Sequence, residues 1–189
     1  MSSAKLEKQR PVLALIPARG GSKGLVGKNM LNIKGIPLVG YSLRAALNSE
    51  VINEVYLSSD DEATLEYGEK LGAKVLFRPS ELSSDNASAN LVVEHFISNL
   101  PKSLLEKNPY IVYLQPTSPL RTSNHIDDSI KEMIGQGRSK LVSVTKLAKS
   151  PFKSFLLNKD GCLQALFGEE MTHQRRQDIP EVFAANGAI

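Results

Sequence analysis

The sequence predicts a three-layer α/β sandwich built around a mostly parallel sheet. Short runs rich in β-branched and aromatic residues alternate with segments of helical length, the pattern of strands joined by helical crossovers. The runs are nearly continuous in apolar character, as expected of strands covered on both faces. Size agrees, because 189 residues that are 41% hydrophobic and 23% charged suit one globular domain with a real core.

Residues 1–9 read as a polar N-terminal tail and residues 10–189 as a single domain. The first strand is expected at 12–16, "VLALI", followed by a helix over 38–48 and a second strand at 51–59. A helix over 61–71 follows, with Asp60 as its N-cap and Gly72 as its stop, then a strand at 73–77 and a helix over 89–100. The fourth strand is expected at 110–115 and the next helix over 124–134, between Ser123 as N-cap and Gly135 as stop. A fifth strand is read at 141–145, "LVSVT". Right-handed crossovers between such strands make the domain Rossmann-like in the loose sense. After Ser150 the alternation ends, and "FLLNKDGCLQALF" reads as a hairpin turning at Asp160-Gly161, an excursion from the sheet.

Composition excludes several classes. A net charge of +3, with Lys and Arg scattered among Asp and Glu, argues against a nucleic-acid binder. The lone Cys162 precludes an intramolecular disulfide framework and zinc motifs are absent, so a reducing compartment fits. The first apolar run is hemmed by Arg10 and Arg19, too short for a membrane span or a signal-peptide core, and the chain is read as cytoplasmic. His95, His125 and His173 lack the spacing of a metal triad or of a nucleophile's base.

The richest stretch for chemistry is "IPARGGSKGLVGKN", residues 16–29, directly after the first strand. Open α/β sheets bind ligands at the carboxyl ends of their strands. Glycines let backbone amides approach oxygen atoms, Arg19 offers a fork of donors, and Lys23 and Lys28 offer point charges, which suits a polyphosphate. The loop is no Walker A motif, since Asn29 follows Gly27-Lys28 where Ser or Thr is required. Asp60 and Asp61 could hold a metal, but paired acids opening a helix are better explained as caps and dipole partners.

This loop resembles the signature loop of the acylneuraminate cytidylyltransferase family, which makes CMP-sialic acids and relatives. Three further stretches resemble family segments in the same order: "RPSELSSDNAS" (78–88), "LQPTSPLRT" (114–122) and "RRQDIPEVFAANGAI" (175–189). The resemblance implies a nucleotide-diphospho-sugar transferase-like fold. It also implies transfer from CTP, in which the anomeric hydroxyl of a nonulosonic acid attacks the α-phosphorus and pyrophosphate leaves. Arg19, Ser22, Lys23, Lys28 and Asn29 would hold the CTP phosphates and part of the cytidine, with Arg19 and Lys28 as the catalytic charges. Arg78, Asp85, Ala87 and Ser88 would read the cytosine, Ala87 through its backbone alone, although Ser84, Asp85 and Ser88 could equally cap the helix near Ala89. Gln115 and Thr117 would meet the acyl sugar, and Lys153, Arg176 and Asn186 would complete its site. Arg121 is read as structural, a binder of backbone carbonyls or a nearby carboxylate.

The resemblance further implies Mg²⁺, a homodimer with composite sites, and a dimerisation excursion at about 146–180. Family members run on past Asn-Gly-Ala into late aspartates that bind the metal. The chain is therefore expected to be truncated, with its metal ligands beyond residue 189 and none within it. Two alternatives stay open: a catalytically incomplete CTP-binding domain, and a Kdo-type cytidylyltransferase, for which the "RGGSKG" loop is the weaker match. The sequence does not separate sialic, legionaminic and pseudaminic acids as substrate.

Overall fold

Strand β1 (Val12–Pro17) is buried along its apolar length, and its side chains part by position. Val12, Ala14 and Ile16 enter one apolar cluster while Leu13 and Leu15 enter another, so the period-two alternation of a strand sends them to opposite faces of a sheet. Both faces are covered, which is why the run is continuous.

The computed structural model describes residues 10–21, 24–84 and 87–189. After β1 the chain forms a small antiparallel pair, β2 (Asn32–Ile33) and β3 (Ile36–Pro37), and enters helix α1 (Leu38–Leu47). Strand β4 (Glu54–Ser59), helix α2 (Glu62–Lys70), strand β5 (Lys74–Phe77) and helix α3 (Ala89–Ser98) follow. A short helix α4 (Lys102–Leu105), strand β6 (Tyr110–Tyr113) and helix α5 (Ser123–Gly135) complete the alternation. The sheet has four strands in the order β5-β4-β1-β6, all parallel, with Leu15 aligned between Tyr56 and Tyr113. Helices α1, α2 and α5 cover one face through Val39, Leu43, Tyr67, Ile126 and Ile130. Phe96 of α3 and Leu100 just beyond it cover the other. These are the three layers that the sequence predicts. Gly68 lets α2 lie close on the sheet, since a Cβ there would sit 2.3 Å from Leu57 Cδ2.

Four local expectations are corrected. The run at 141–145 does not become a fifth strand of this sheet. Its end joins β7 (Val144–Lys146), which pairs antiparallel with a late strand, because a short β-branched run encodes extension but not its partner. Asp61, not Asp60, is the N-cap of α2, its carboxylate accepting the Thr64 amide at 2.8 Å. Thr122, not Ser123, caps α5, in a reciprocal pair with His125. Gly135 does not stop α5 but is its last residue, and the left-handed turn falls on Gly137. Gly72, at φ +98°, ends α2 as expected.

Residues Val142–Asn186 form a second compact unit, and the other described residues, including Gly187–Ile189, form the first. The second unit contains β7, the antiparallel hairpin β8 (Phe155–Leu157) and β9 (Leu163–Ala165), helix α6 (Glu169–His173), and strand β10 (Phe183–Ala185) paired with β7. The hairpin turns where expected. Asn158 Oδ1 accepts the Asp160 and Cys162 amides at 3.0 and 2.8 Å, and Gly161 takes φ +77°. Among the described residues no helix is long and apolar enough to cross a membrane.

Candidate active site

Strand order reverses at β1, with β4 and β5 on one side of it and β6 on the other. In open parallel sheets the crevice beyond such a switch point is where ligands bind. A cleft of about 210 Å³ opens there, between the end of β1 and the end of β6.

Its first wall is the glycine-rich loop. Gly27, at φ +64°, turns the chain into a single 3-10 turn, Lys28–Met30, which sets Lys28 and Asn29 on the cleft. Asn29 is buried, and its side-chain amide donates to the Arg19 carbonyl at 2.9 Å. Arg19 Nη1 reaches the Ser83 carbonyl at 3.4 Å, and the Gly20 amide donates to Asp60 Oδ1 at 2.8 Å. The loop is thus tied at both ends of its cationic stretch.

Arg78 forms the floor. It follows β5 directly, and its backbone amide donates to the Ser59 carbonyl at 2.8 Å. The residue is only 3% exposed, yet among the described residues Nε and Nη2 have no hydrogen-bond partner. Burial pushes its pKa down; the Asp60 carboxylate and the Tyr113 phenol push the other way, and the Arg19 charge adds to the depression. Buried donors without acceptors cost free energy, so this guanidinium is poised for a ligand that brings acceptors. Tyr113, at the end of β6, lines the cleft beside it, its phenol pKa raised by burial and lowered in part by the Arg78 charge.

The third wall is Gln115 and Thr117, whose side chains share a 3.4 Å hydrogen bond. Arg121 holds their loop from below, as the structural reading expects. It donates to Ser42 Oγ at 2.6 Å, to the Gln115 carbonyl at 3.1 Å and to the Ala188 carbonyl at 2.6 Å. Buried among neutral acceptors, its pKa is pulled down to about 10.

The cleft therefore gathers Arg19, Lys28, Asn29, Arg78, Ala87, Gln115 and Thr117. Ser88 caps α3 instead, its Oγ accepting the Leu91 amide at 3.4 Å, and does not line the cleft. Ser22, Lys23 and Asp85 lie outside the described residues. Lys153, Arg176 and Asn186 belong to the second unit, where Asn186 bonds Ser143 and Thr145. Sequence reasoning missed Tyr113, which reads as an ordinary strand residue, and the contact of Asp60 with Gly20. Among the described residues no three His, Cys, Asp or Glu converge as metal ligands. Asp61 accepts from Thr64 through Oδ2, and Asp60 accepts from Gly20 through Oδ1.

One end of the cleft is cationic and the other neutral and polar, which fits a phosphorylated ligand joined to a hydroxyl-rich one. Over residues 13–181 the sequence matches the family model described as cytidylyltransferase. The chain belongs to the cytidylyltransferase family. It is 34% identical to the N-acylneuraminate cytidylyltransferase of Streptococcus agalactiae serotype V across 94% of this chain and 42% of that protein. It is 35% identical to the pseudaminic acid cytidylyltransferase of Campylobacter jejuni serotype O:2 across 94% of this chain and 76% of that one. The chain thus spans less than half the length of the first relative and about three quarters of the second. A solved CMP:2-keto-3-deoxy-manno-octonic acid synthetase complexed with CTP superposes with TM-score 0.52 at 21% identity, over 71% of this chain and 50% of that one. That likeness establishes the fold, the nucleotide-diphospho-sugar transferase type. This member of the family places its glycine-rich loop and Arg78 on one cleft with the Gln115 loop opposite.

Proposed function

We propose that this cytidylyltransferase joins CTP to a nonulosonic, sialic-type acid, releasing pyrophosphate and a CMP-activated sugar. The observation that carries the reading is the convergence of Arg19, Lys28 and Arg78 with Gln115 and Thr117 in one cleft at the switch point of the sheet. The names of the relatives support the substrate class.

In this reading Arg19 and Lys28 face the triphosphate, and Arg78 meets the acceptor atoms of the pyrimidine edge. Gln115 and Thr117 offer neutral donors and acceptors to the sugar. The anomeric oxygen forms its bond to the α-phosphorus as the bridge to the β-phosphorus breaks; the hydroxyl proton passes to solvent and pyrophosphate carries off the electron pair. Catalysis is positioning plus dispersal of charge on the departing group, the contribution of Arg19 and Lys28. Mg²⁺ belongs to the proposal as an ion that arrives with the triphosphate, and no step is assigned to it. Lys153 and Arg176 are proposed partners for the sugar carboxylate, for which an Arg fork is apt. A homodimer is proposed through the second unit, where Phe155, Leu157, Leu163 and Phe183 expose large apolar side chains. A cytoplasmic setting completes the reading.

The test is pyrophosphate release from CTP, with Mg²⁺, against a panel of sialic, legionaminic, pseudaminic and Kdo acids. Release that needs CTP and one of the first three acids supports the reading. Release only with Kdo, or CTP binding without turnover of any acid, contradicts it.

A further inference from the structure

Asp60 neither caps α2 nor lines the cleft, yet it stands beside two parts of it. Strands β4 and β5 pair in register at Ser59 and Phe77, so Asp60 and Arg78 leave the sheet side by side. On its other flank, Asp60 Oδ1 accepts the Gly20 amide at 2.8 Å, next to Arg19. Gly20 is also confined sterically, since a Cβ there would sit 3.0 Å from Asp61 Cβ.

Cations crowd this corner, since Arg19, Lys28 and Arg78 line one cleft, and like charges repel strongly where water is scarce. Among the described residues Arg78 also lacks partners for Nε and Nη2, so no hydrogen bond from these two nitrogens to them fixes where it points. We propose that Asp60 is a positioning residue for the nucleotide: it clamps the glycine-rich loop through Gly20 and gives Arg78 the negative neighbour that holds its guanidinium in the cleft. One carboxylate then sets the phosphate side and the base side of the site together. The inference rests on the reading of the cleft as a nucleotide site.

The two functions separate by substitution. Asp60→Asn keeps an oxygen acceptor for the Gly20 amide but removes the charge beside Arg78, whereas Asp60→Ala removes both. Calorimetric titration of CTP, UTP and inorganic tripolyphosphate into the whole chain reads each part. In Asp60→Asn the preference for CTP over UTP is expected to fall about tenfold, the scale of one charge-assisted contact. Tripolyphosphate is expected to bind that variant as tightly as wild type or tighter, because one negative charge fewer faces the anion. In Asp60→Ala tripolyphosphate binding is expected to weaken about tenfold as well, through the loosened loop.

A merely structural residue would weaken all three ligands in parallel, and such a parallel loss overturns the proposal. So does a wild-type preference for CTP in Asp60→Asn, a result that stands even if the alanine variant fails to fold. If wild type binds neither CTP nor tripolyphosphate, the reading of the cleft fails first. If wild type binds CTP and both variants match it, the role of Asp60 alone fails.

Discussion

Asn29 donates its side-chain amide to the Arg19 carbonyl at 2.9 Å, closing the glycine-rich loop across the end of β1. The contact is buried, with Asn29 only 6% exposed. Asn29→Ala leaves that carbonyl without its partner and is expected to cost about 1–3 kcal/mol of stability. CTP affinity falls with it, because the loop carrying Lys28 loosens. Denaturant midpoints and calorimetric CTP titration check both.

Arg78 is expected to show the opposite pairing of effects. Among the described residues its Nε and Nη2 have no partner, so an apolar side chain of similar length relieves that cost in the ligand-free protein, while the half-buried Asp60 keeps the Gly20 amide as its own partner. Arg78→Met should melt at or above the wild-type temperature while losing about 1.5–3 kcal/mol of CTP binding, the scale of hydrogen bonds from a charged donor. Thermal melts with and without CTP measure the two effects in one experiment. A variant that is less stable without ligand and binds CTP normally would place Arg78 in the framework instead.

Arg121 makes three hydrogen bonds from two nitrogens, to Ser42, Gln115 and Ala188. An ammonium cannot span this fork of acceptors, so Arg121→Lys is expected to lose about 1.5–3 kcal/mol, the scale of hydrogen bonds from a buried charged donor. Urea denaturation gives the figure.

Acid stability has a specific contributor in Asp127. Burial by itself would raise its pKa, but the Ser49 hydroxyl, the Glu50 and Val51 amides and the Lys131 charge together hold it below the ordinary 3.8. The Glu50 amide donates to Oδ2 at 3.1 Å, tying α5 to the turn after α1. A carboxyl with a depressed folded pKa stabilises fully above its unfolded value, and that stabilisation is lost as pH falls through the folded one. The stability gap between wild type and Asp127→Asn should therefore hold at about pH 5 to 7, above the ordinary aspartate value, and shrink below about pH 4. Urea midpoints measured across this range trace it.

Much of this arrangement is legible in the residues alone. Strand β1 reads correctly because burial on both faces leaves a continuous apolar run, and β4, β5 and β6 because short β-branched and aromatic runs stand between turn residues, even where β5 at the sheet edge is largely exposed. The run at 141–145 misleads because its residues specify extension, whereas its antiparallel partner, Phe183–Ala185, lies far along the chain. The caps shift by one residue because "SDDE" and "RTSN" each offer two adjacent capping side chains, and only the entry angle of the chain selects between them. Arg19, Lys28, Gln115 and Thr117 were readable from their places after strands. The link from Asp60 to Gly20 was not, since it joins the ends of two strands whose neighbour relation is itself a product of folding.

The central claim is that the cleft between β1 and β6 is a cytidine triphosphate site. Calorimetric titration of CTP and UTP into the unaltered chain tests it most directly. Arg78 presents only donors, which match the adjacent O2 and N3 acceptors of cytosine, whereas uracil carries a hydrogen at N3. CTP is expected to bind with one site per chain, and UTP at least about tenfold more weakly because a buried donor is left unpaired. Equal affinity for the two nucleotides, or no binding of CTP, would contradict the account.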